Sequence, residues 1–445
     1  MPGEQDSTIA VVGLWHLGVV IAACLAEAGF TVVGVDPDPE VVAGLNEDRP
    51  PVDEPGLADL MRDMREAGRL TFATPSAQAI GPAAVIWIAF DTPVDEEDRA
   101  DVEWVLDHSA DALSHAARGA LVVISAQLPV GSAAALRRRM SEAGRDDLRF
   151  ACVPENLRLG RALQTFRSPD RFVAGVGSDE ELVRLEKVLE RFDSPIEWMG
   201  VESAEMTKHA LNAFLATSVA FINEIAAICE RVDADASDVA RGLKSDERIG
   251  PRAYLAPGDA FAGGTLARDI QFLSRLAHDQ GLPAEVVDGV AASNAEHRHW
   301  SQRALTRMFG AASGNGKHGL ADRRIAVWGL TYKPGTNTLR RSSALELCRW
   351  LAGERASVHA YDPAISTLPA GEPAEIELAS SPIDALDGAE ALVVCTPWPE
   401  FRAVAANEIT GSMTQAVVLD PGGHLRDTLG QVSGVRYVRV GVPAA

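Results

Sequence analysis

Ile9-Ala10-Val11-Val12-Gly13-Leu14-Trp15-His16-Leu17-Gly18 opens on an apolar run, breaks at one glycine and reaches a second, and an apolar-periodic stretch then carries the chain to Gly29. Thr31 to Val35 is a second apolar run, and it delivers Asp36. Strand, glycine turn, helix, strand and acid in this order read as a βαβ unit, which aims a helix N-terminus at an anionic group. Asp36 comes 18 residues after Gly18, where a carboxylate would receive the ribose hydroxyls of NAD and repel the extra phosphate of NADP. Gly13, Leu14, Trp15, His16, Leu17, Gly18 and Asp36 are therefore the first candidate cofactor residues. The fingerprint expects glycine at position 15, where the backbone approaches the pyrophosphate. Trp15 must turn its side chain away from the phosphates or cover the nucleotide. On this stretch alone, an α/β turn that binds no nucleotide stays open.

Further strands are expected at Ala84 to Phe90, ending in Asp91-Thr92-Pro93, and at Leu121 to Ser125, ending in Gln127-Leu128-Pro129. Ligands of an open parallel sheet bind outside the carboxyl ends of its strands, so Thr92 and Gln127 either face the cofactor or serve the turns. The next strand end, Cys152-Val153-Pro154-Glu155-Asn156-Leu157, places an acid at the same edge.

From Ser203 to Val232 there is neither proline nor glycine, and the helical period predicts one helix of about 30 residues, roughly 45 Å long, enough to bridge two domains. Lys208 and Asn212 share a face of it. The flanking Ala204, Met206, Ala210, Leu211 and Ala213 are apolar, so Lys208 is expected to be partly buried. Helices over Ala236 to Leu243, Ala267 to Asp279 and Pro283 to Phe309 complete an all-helical middle. After Gly310 to Ala321 the first grammar repeats: Ile325 to Gly329 matches Ile9 to Gly13, Val358 to Tyr361 leads to Asp362-Pro363, and Ala391 to Cys395 leads to Thr396-Pro397. The expected fold is α/β, with two Rossmann-like parallel-sheet domains joined by a long helix and an all-helical central dimerisation region. The domains are expected at 1–196, 197–310 and 320–445. The second sheet domain lacks the dinucleotide fingerprint, and its Lys333 and Arg340 suit a phosphate or nucleotide better than a redox ring.

A formal net charge of −22, spread through 445 residues, argues against a nucleic-acid or anionic-membrane surface. No signal-peptide pattern opens the chain, and no apolar run is expected to reach the roughly 18 residues of a spanning helix. Five cysteines without paired spacing read as buried thiols in a reducing cytoplasm. No metal is expected.

Taken in order, Glu54-Pro55-Gly56-Leu57, Asp91-Thr92-Pro93, Val153-Pro154-Glu155, Ser168-Pro169-Asp170-Arg171, Lys208 with Asn212-Ala213-Phe214, Arg248-Ile249-Gly250, Phe261 to Asp269, Tyr332-Lys333 with Arg340, and Thr396-Pro397-Trp398-Pro399-Glu400-Phe401 make a chain that resembles the UDP-glucose/GDP-mannose dehydrogenase family. The resemblance implies an NAD-dependent enzyme of the cytoplasm, a homodimer built on its helical core, with a nucleotide sugar as substrate. It implies Glu155 as acid/base, Lys208 holding the developing oxyanion with Asn212 as hydrogen-bond partner, and Asp269 orienting that group or a water. Arg248 would reach towards the substrate of a neighbouring subunit. Lys333 would bind the phosphates or sugar, and Arg340 would contact the cofactor side. Asn156, Leu157, Tyr254, Phe261 and Gly263 complete the implied substrate contacts.

Members of the family that complete a four-electron oxidation of the sugar's primary alcohol carry a cysteine where this chain has Thr265. A thiol near pKa roughly 8.5 ionises and attacks an aldehyde, whereas an aliphatic hydroxyl barely ionises. Trp15, Asn156, Leu159, Asn337 and Thr338 also depart from the family's pattern. Three readings follow: an enzyme that stops after two electrons, with a UDP-sugar the favoured substrate; a full four-electron oxidation to a uronic acid through a hydrated aldehyde; or a nucleotide-sugar-binding protein that has lost catalysis.

Overall fold

β-Branched and aliphatic runs in the computed structural model, which describes residues 8–93, 100–155, 157–262, 264–310 and 319–443, assemble into two separate sheets. The first contains β1 (Thr8–Val12), β2 (Thr31–Val35), β3 (Leu70–Ala73), β4 (Val85–Ile88), β5 (Leu121–Ile124), β6 (Arg149–Cys152), β7 (Phe172–Val176) and β8 (Ile196–Met199), in the order β3-β2-β1-β4-β5-β6-β7-β8. Its pairings are parallel except β6 with β7. Strands β4 and β5 are buried at every residue, because helices cover both faces of a sheet of this kind. The helix His16–Glu27 is buried from Leu17 to Ala26 and packs Val19, Ile21, Leu25 and their neighbours into one of the two cores flanking the sheet. Strand order reverses between β1 and β4, which opens the crevice where α/β proteins bind ligands.

The second sheet contains β9 (Arg324–Trp328), β10 (Ser357–Tyr361), β11 (Ile376–Leu378), β12 (Ala391–Val394), β13 (Val417–Leu419) and β14 (Arg436–Val438), ordered β11-β10-β9-β12-β13-β14 and wholly parallel. It repeats the order of the first six strands of the first sheet. The repetition extends to atoms: Gly13 N–H donates to Val35 O at 2.9 Å and Gly329 N–H to Tyr361 O at 2.7 Å.

Between the sheets in sequence lie the helices Val201–Val232, Ala236–Ser245, Thr265–Asp279, Glu285–His297 and Trp300–Phe309. Two differ from expectation. The stretch Pro283 to Phe309 is not one helix but two, broken at Arg298 and His299, where no proline or glycine signals a stop. There the Glu296 carbonyl at the helix end accepts both the His299 N–H, at 3.2 Å, and the Arg303 guanidinium, at 2.7 Å, in place of an i+4 backbone donor. The second difference is that Thr265, expected in a loop, is the first residue of its helix.

Val201–Val232 is also, among the described residues, the helix long and apolar enough to cross a membrane by length and composition, contrary to the expectation that no run reaches that length. Its buried Glu205, His209, Asn212 and Asn223 each hydrogen-bond protein groups, as in a core helix. The chain divides into two compact units within this helix, Met1–Leu211 and Asn212–Ala445.

Candidate active site

In the first unit, Pro154 follows β6 and, lacking an N–H, ends the ladder. Glu155 emerges there and meets Lys208, Nζ to Oε1 3.2 Å, with the two side chains only 18% and 11% exposed. The other carboxylate oxygen accepts the Leu157 N–H at 2.8 Å. The pair lines a cleft of about 340 Å³ together with Gln127, Leu128, Cys152 and His209. Thr92 Oγ1 donates to Gln127 O at 2.8 Å, which joins two of the expected cofactor residues.

Two buried neighbours fix the lysine's segment. His209 Nε2 lies 2.9 Å from Leu128 O. Glu205 accepts the N–H groups of Gly131 and Ala133 at 2.7 and 2.9 Å, at the N-terminal end of the helix Ser132–Glu142, where an acid is favoured. Burial pushes the Glu205 carboxyl up, and those two amides oppose it.

The glycine turn tests whether NAD fits. Gly13 needs φ of +92°, and a Cβ there would meet Phe90 at 2.6 Å; a Cβ on Gly18 would lie 1.7 Å from Gly13 O. Both must be glycine. Position 15 is different: Trp15 caps the helix with φ −82°, a conformation open to any residue, and its side chain is 49% exposed. Asp36 accepts Leu14 N–H at 2.6 Å on one oxygen and Asp38 N–H at 2.9 Å on the other. A carboxylate offers about four acceptor sites, so roughly half of its capacity is unused. Burial accordingly raises the carboxyl above its ordinary range, and a pair of ribose hydroxyls would supply the missing donors. The repeat gives the contrast. Asp362 receives Leu330 N–H, Thr331 N–H, Thr331 Oγ1 and Trp398 Nε1 on one oxygen and Ala364 N–H on the other, so one oxygen is filled and a pair of hydroxyls has no place.

Glu54 is a residue whose role the sequence did not reveal. Fully buried, it accepts Gly160 N–H and Ala162 N–H at 2.8 Å each, and its Oε2 lies 3.0 Å from His16 Nε2. It thereby ties the first turn of the cofactor helix to the loop that follows Glu155.

In the second unit, Asn212 Nδ2 donates to Asp269 Oδ2 at 2.5 Å, and both residues are buried. Thr265 is exposed at the head of the Thr265–Asp279 helix, behind the N-cap Gly264. Three buried side chains clamp the preceding loop. Asn294 exchanges two hydrogen bonds with the Phe261 backbone, at 2.9 and 2.8 Å. Asn223 accepts Gly258 N–H at 3.0 Å, and His297 Nε2 lies 2.7 Å from Gly258 O. Asn223 was legible in principle, since 11 residues separate it from Asn212, three helical turns along one face.

Arg248 and Tyr254 are exposed, and among the described residues the Arg248 guanidinium engages Asp246, at 3.0 and 2.8 Å, and none of the expected site residues. Lys333 is half-buried and Arg340 exposed on one loop, where the Thr336 hydroxyl donates to Lys333 O at 3.1 Å. Asn156 and Gly263 lie outside the described residues.

An aspartate with acceptor capacity to spare at a glycine turn, and an acid paired with a lysine at the same carboxyl edge of the sheet, belong to a dinucleotide-linked oxidoreductase. Comparison with known proteins makes this specific. Sequence models of the UDP-glucose/GDP-mannose dehydrogenase family match in succession: the NAD binding domain over residues 7–193, the central domain over 202–296 and the UDP binding domain over 326–427. UDP-glucose 6-dehydrogenase of Pseudomonas aeruginosa is 35% identical over 93% of this chain and 92% of its own. UDP-glucose 6-dehydrogenase TuaD of Bacillus subtilis is 34% identical over 98% and 93%. The structure of a UDP-glucose dehydrogenase from Pyrobaculum islandicum superposes with a TM-score of 0.83 at 30% identity, covering 96% of this chain and 97% of that one. The chain belongs to the UDP-glucose/GDP-mannose dehydrogenase family, and it is an NAD-dependent nucleotide-sugar dehydrogenase.

Proposed function

We propose that the chain oxidises the primary alcohol of a UDP-sugar and stops after two electrons. NAD, when bound at Asp36 and the glycine turn, supplies the hydride acceptor. Glu155 takes the hydroxyl proton, and Lys208 holds the oxygen on which negative charge develops. Asn212 and Asp269, already hydrogen-bonded to each other, orient the sugar or a water. Leu157, Phe261, Tyr254, Arg248 and Lys333 contribute to substrate binding in this reading, and Arg340, Thr92 and Gln127 to the cofactor side.

The observation that carries the two-electron reading is Thr265, an exposed hydroxyl at the head of its helix where this family's four-electron members use a thiol. Cys152 lines the Glu155–Lys208 cleft, yet burial, with Glu205 nearby, holds its thiol well above the ordinary range, so it is a poor substitute nucleophile. Incubation with NAD and UDP-glucose, counting NADH and weighing the product, tests the reading. One NADH and the loss of two hydrogens are expected; two NADH and a uronate sink it. The four-electron alternative draws support from the names of the relatives and from the Glu155–Lys208 pair, which could activate water on the aldehyde.

The three-part division at 1–196, 197–310 and 320–445 goes with this reading, with the middle part as the dimerisation region. Phe214, Phe221 and Ile228, seven residues apart on the long helix, are all exposed. Such a stripe suits burial against a second copy of the chain. A cytoplasmic setting is supported by five free cysteines.

A further inference from the structure

Gly264 and Tyr332 meet at the head of the Thr265–Asp279 helix. A Cβ placed on Gly264 would lie 2.8 Å from the Tyr332 hydroxyl and 3.4 Å from its Cζ. Gly264 also holds φ at +119°, a conformation that side chains disfavour. The bare backbone at 264 thus leaves the space that the phenol fills, directly before Thr265.

Tyr332 has its backbone N–H taken by Thr338 O at 3.0 Å, but among the described residues its hydroxyl has no hydrogen-bond partner. Burial raises the phenol above its ordinary range, with the Arg268 charge pulling the other way. It is therefore protonated near neutral pH and can donate a hydrogen bond. A half-buried donor without a partner is stabilised by an acceptor brought in by a ligand.

We propose that the Tyr332 hydroxyl binds an oxygen of the substrate's sugar beside Thr265, making it a sugar-recognising residue of this enzyme. The inference rests on the reading that the head of this helix faces the sugar. Nothing in it depends on whether two or four electrons are removed. A sugar whose oxygen is missing or inverted at the contacted position leaves the phenol unpaired, so Tyr332 also selects among UDP-sugars.

The test is Y332F, with UDP-glucose as the sugar nucleotide and UDP as the sugar-free probe. In Y332F, kcat/KM for UDP-glucose falls roughly threefold to tenfold, as for one neutral hydrogen bond. The calorimetric Kd for UDP and the rise in Tm caused by NAD stay at wild-type values. Unchanged kcat/KM, together with an unchanged ratio of UDP-glucose to UDP affinity, overturns the proposal. So does an equal loss of affinity for both, which marks a distorted loop. If the wild type releases no NADH from UDP-glucose, the proposed function fails separately. Calorimetry then decides alone: Y332F narrows the affinity ratio by the same factor, or the Tyr332 contact is wrong.

Discussion

Thr265→Cys places a thiol at the first position of the Thr265–Asp279 helix, at an exposed side chain. The helix dipole favours a negative charge there by about 0.3–1 kcal/mol. At about 1.4 kcal/mol per pKa unit, a thiol that would titrate near roughly 8.5 moves to about 7.8–8.3. The thiolate share at pH 8 then rises from about a quarter to between about a third and three-fifths. An exposed substitution of this kind changes stability by less than about 0.5 kcal/mol, so the comparison with wild type is clean. The rate of iodoacetamide alkylation against pH reads the thiolate directly, and NADH released per UDP-glucose reads its consequence. We expect an alkylation midpoint below that of a free thiol, and a rise from about one NADH per sugar in the wild type to about two in the variant, with a uronate as product. An alkylation midpoint at or above that of a free thiol refutes the electrostatic argument. A variant that alkylates readily and still releases one NADH per sugar removes position 265 from any account of the stopping point.

Lys208→Ala takes the cation from its partner Glu155 and from the developing oxyanion, and kcat should fall by about 10²–10³ while the KM for UDP-glucose changes little; a change below threefold contradicts the role. Glu54→Ala leaves the Gly160 and Ala162 amides without their acceptor, at about 1–3 kcal/mol each, and a urea midpoint shift equivalent to less than about 1 kcal/mol would show that the loop is held otherwise. Burial raises the Asp36 carboxyl, so its ionisation opposes folding of the free protein as pH rises through the raised pKa, and NAD, which takes the ionised form, should bind more weakly as pH falls through it. Calorimetry across pH should therefore show affinity lost earlier on acidification than an ordinary aspartate would give, with the slope absent in Asp36→Asn. Phe221→Glu sets a charge in the exposed stripe of the long helix, and light scattering should find a monomer for the variant and a dimer for the wild type; an equal particle mass for both rules the stripe out as the interface.

Much of this was legible in the sequence because its determinants are local. The runs that became β1, β2 and β9 are apolar after their first residue, the glycine at 18 is forced by the Gly13 carbonyl five residues before it, and the long helix announces itself by the absence of breakers. The repeat was legible for the same reason. What escaped depends on partners far along the chain. Glu54 reaches amides 106 and 108 residues away, and Asn294 holds a backbone 33 residues before it. The helix break at Arg298 and His299 contains neither proline nor glycine, so no breaker announces it. Thr265 reads as loop because two glycines precede it, yet Gly264 serves as the N-cap of its helix.

The contrast between Asp36 and Asp362 bears on how a duplicated module changes its work. Both copies keep the turn and the acid that, in the first copy, we propose for NAD. The second acid is encircled: hydroxyl, indole and amide donors crowd its Oδ2, four where Asp36 has one on the same oxygen. A mutational scan should therefore find both positions intolerant for opposite reasons, abundance suffering at 362 and NAD binding at 36. Such a chain carries its own control for what separates a structural carboxylate from a functional one.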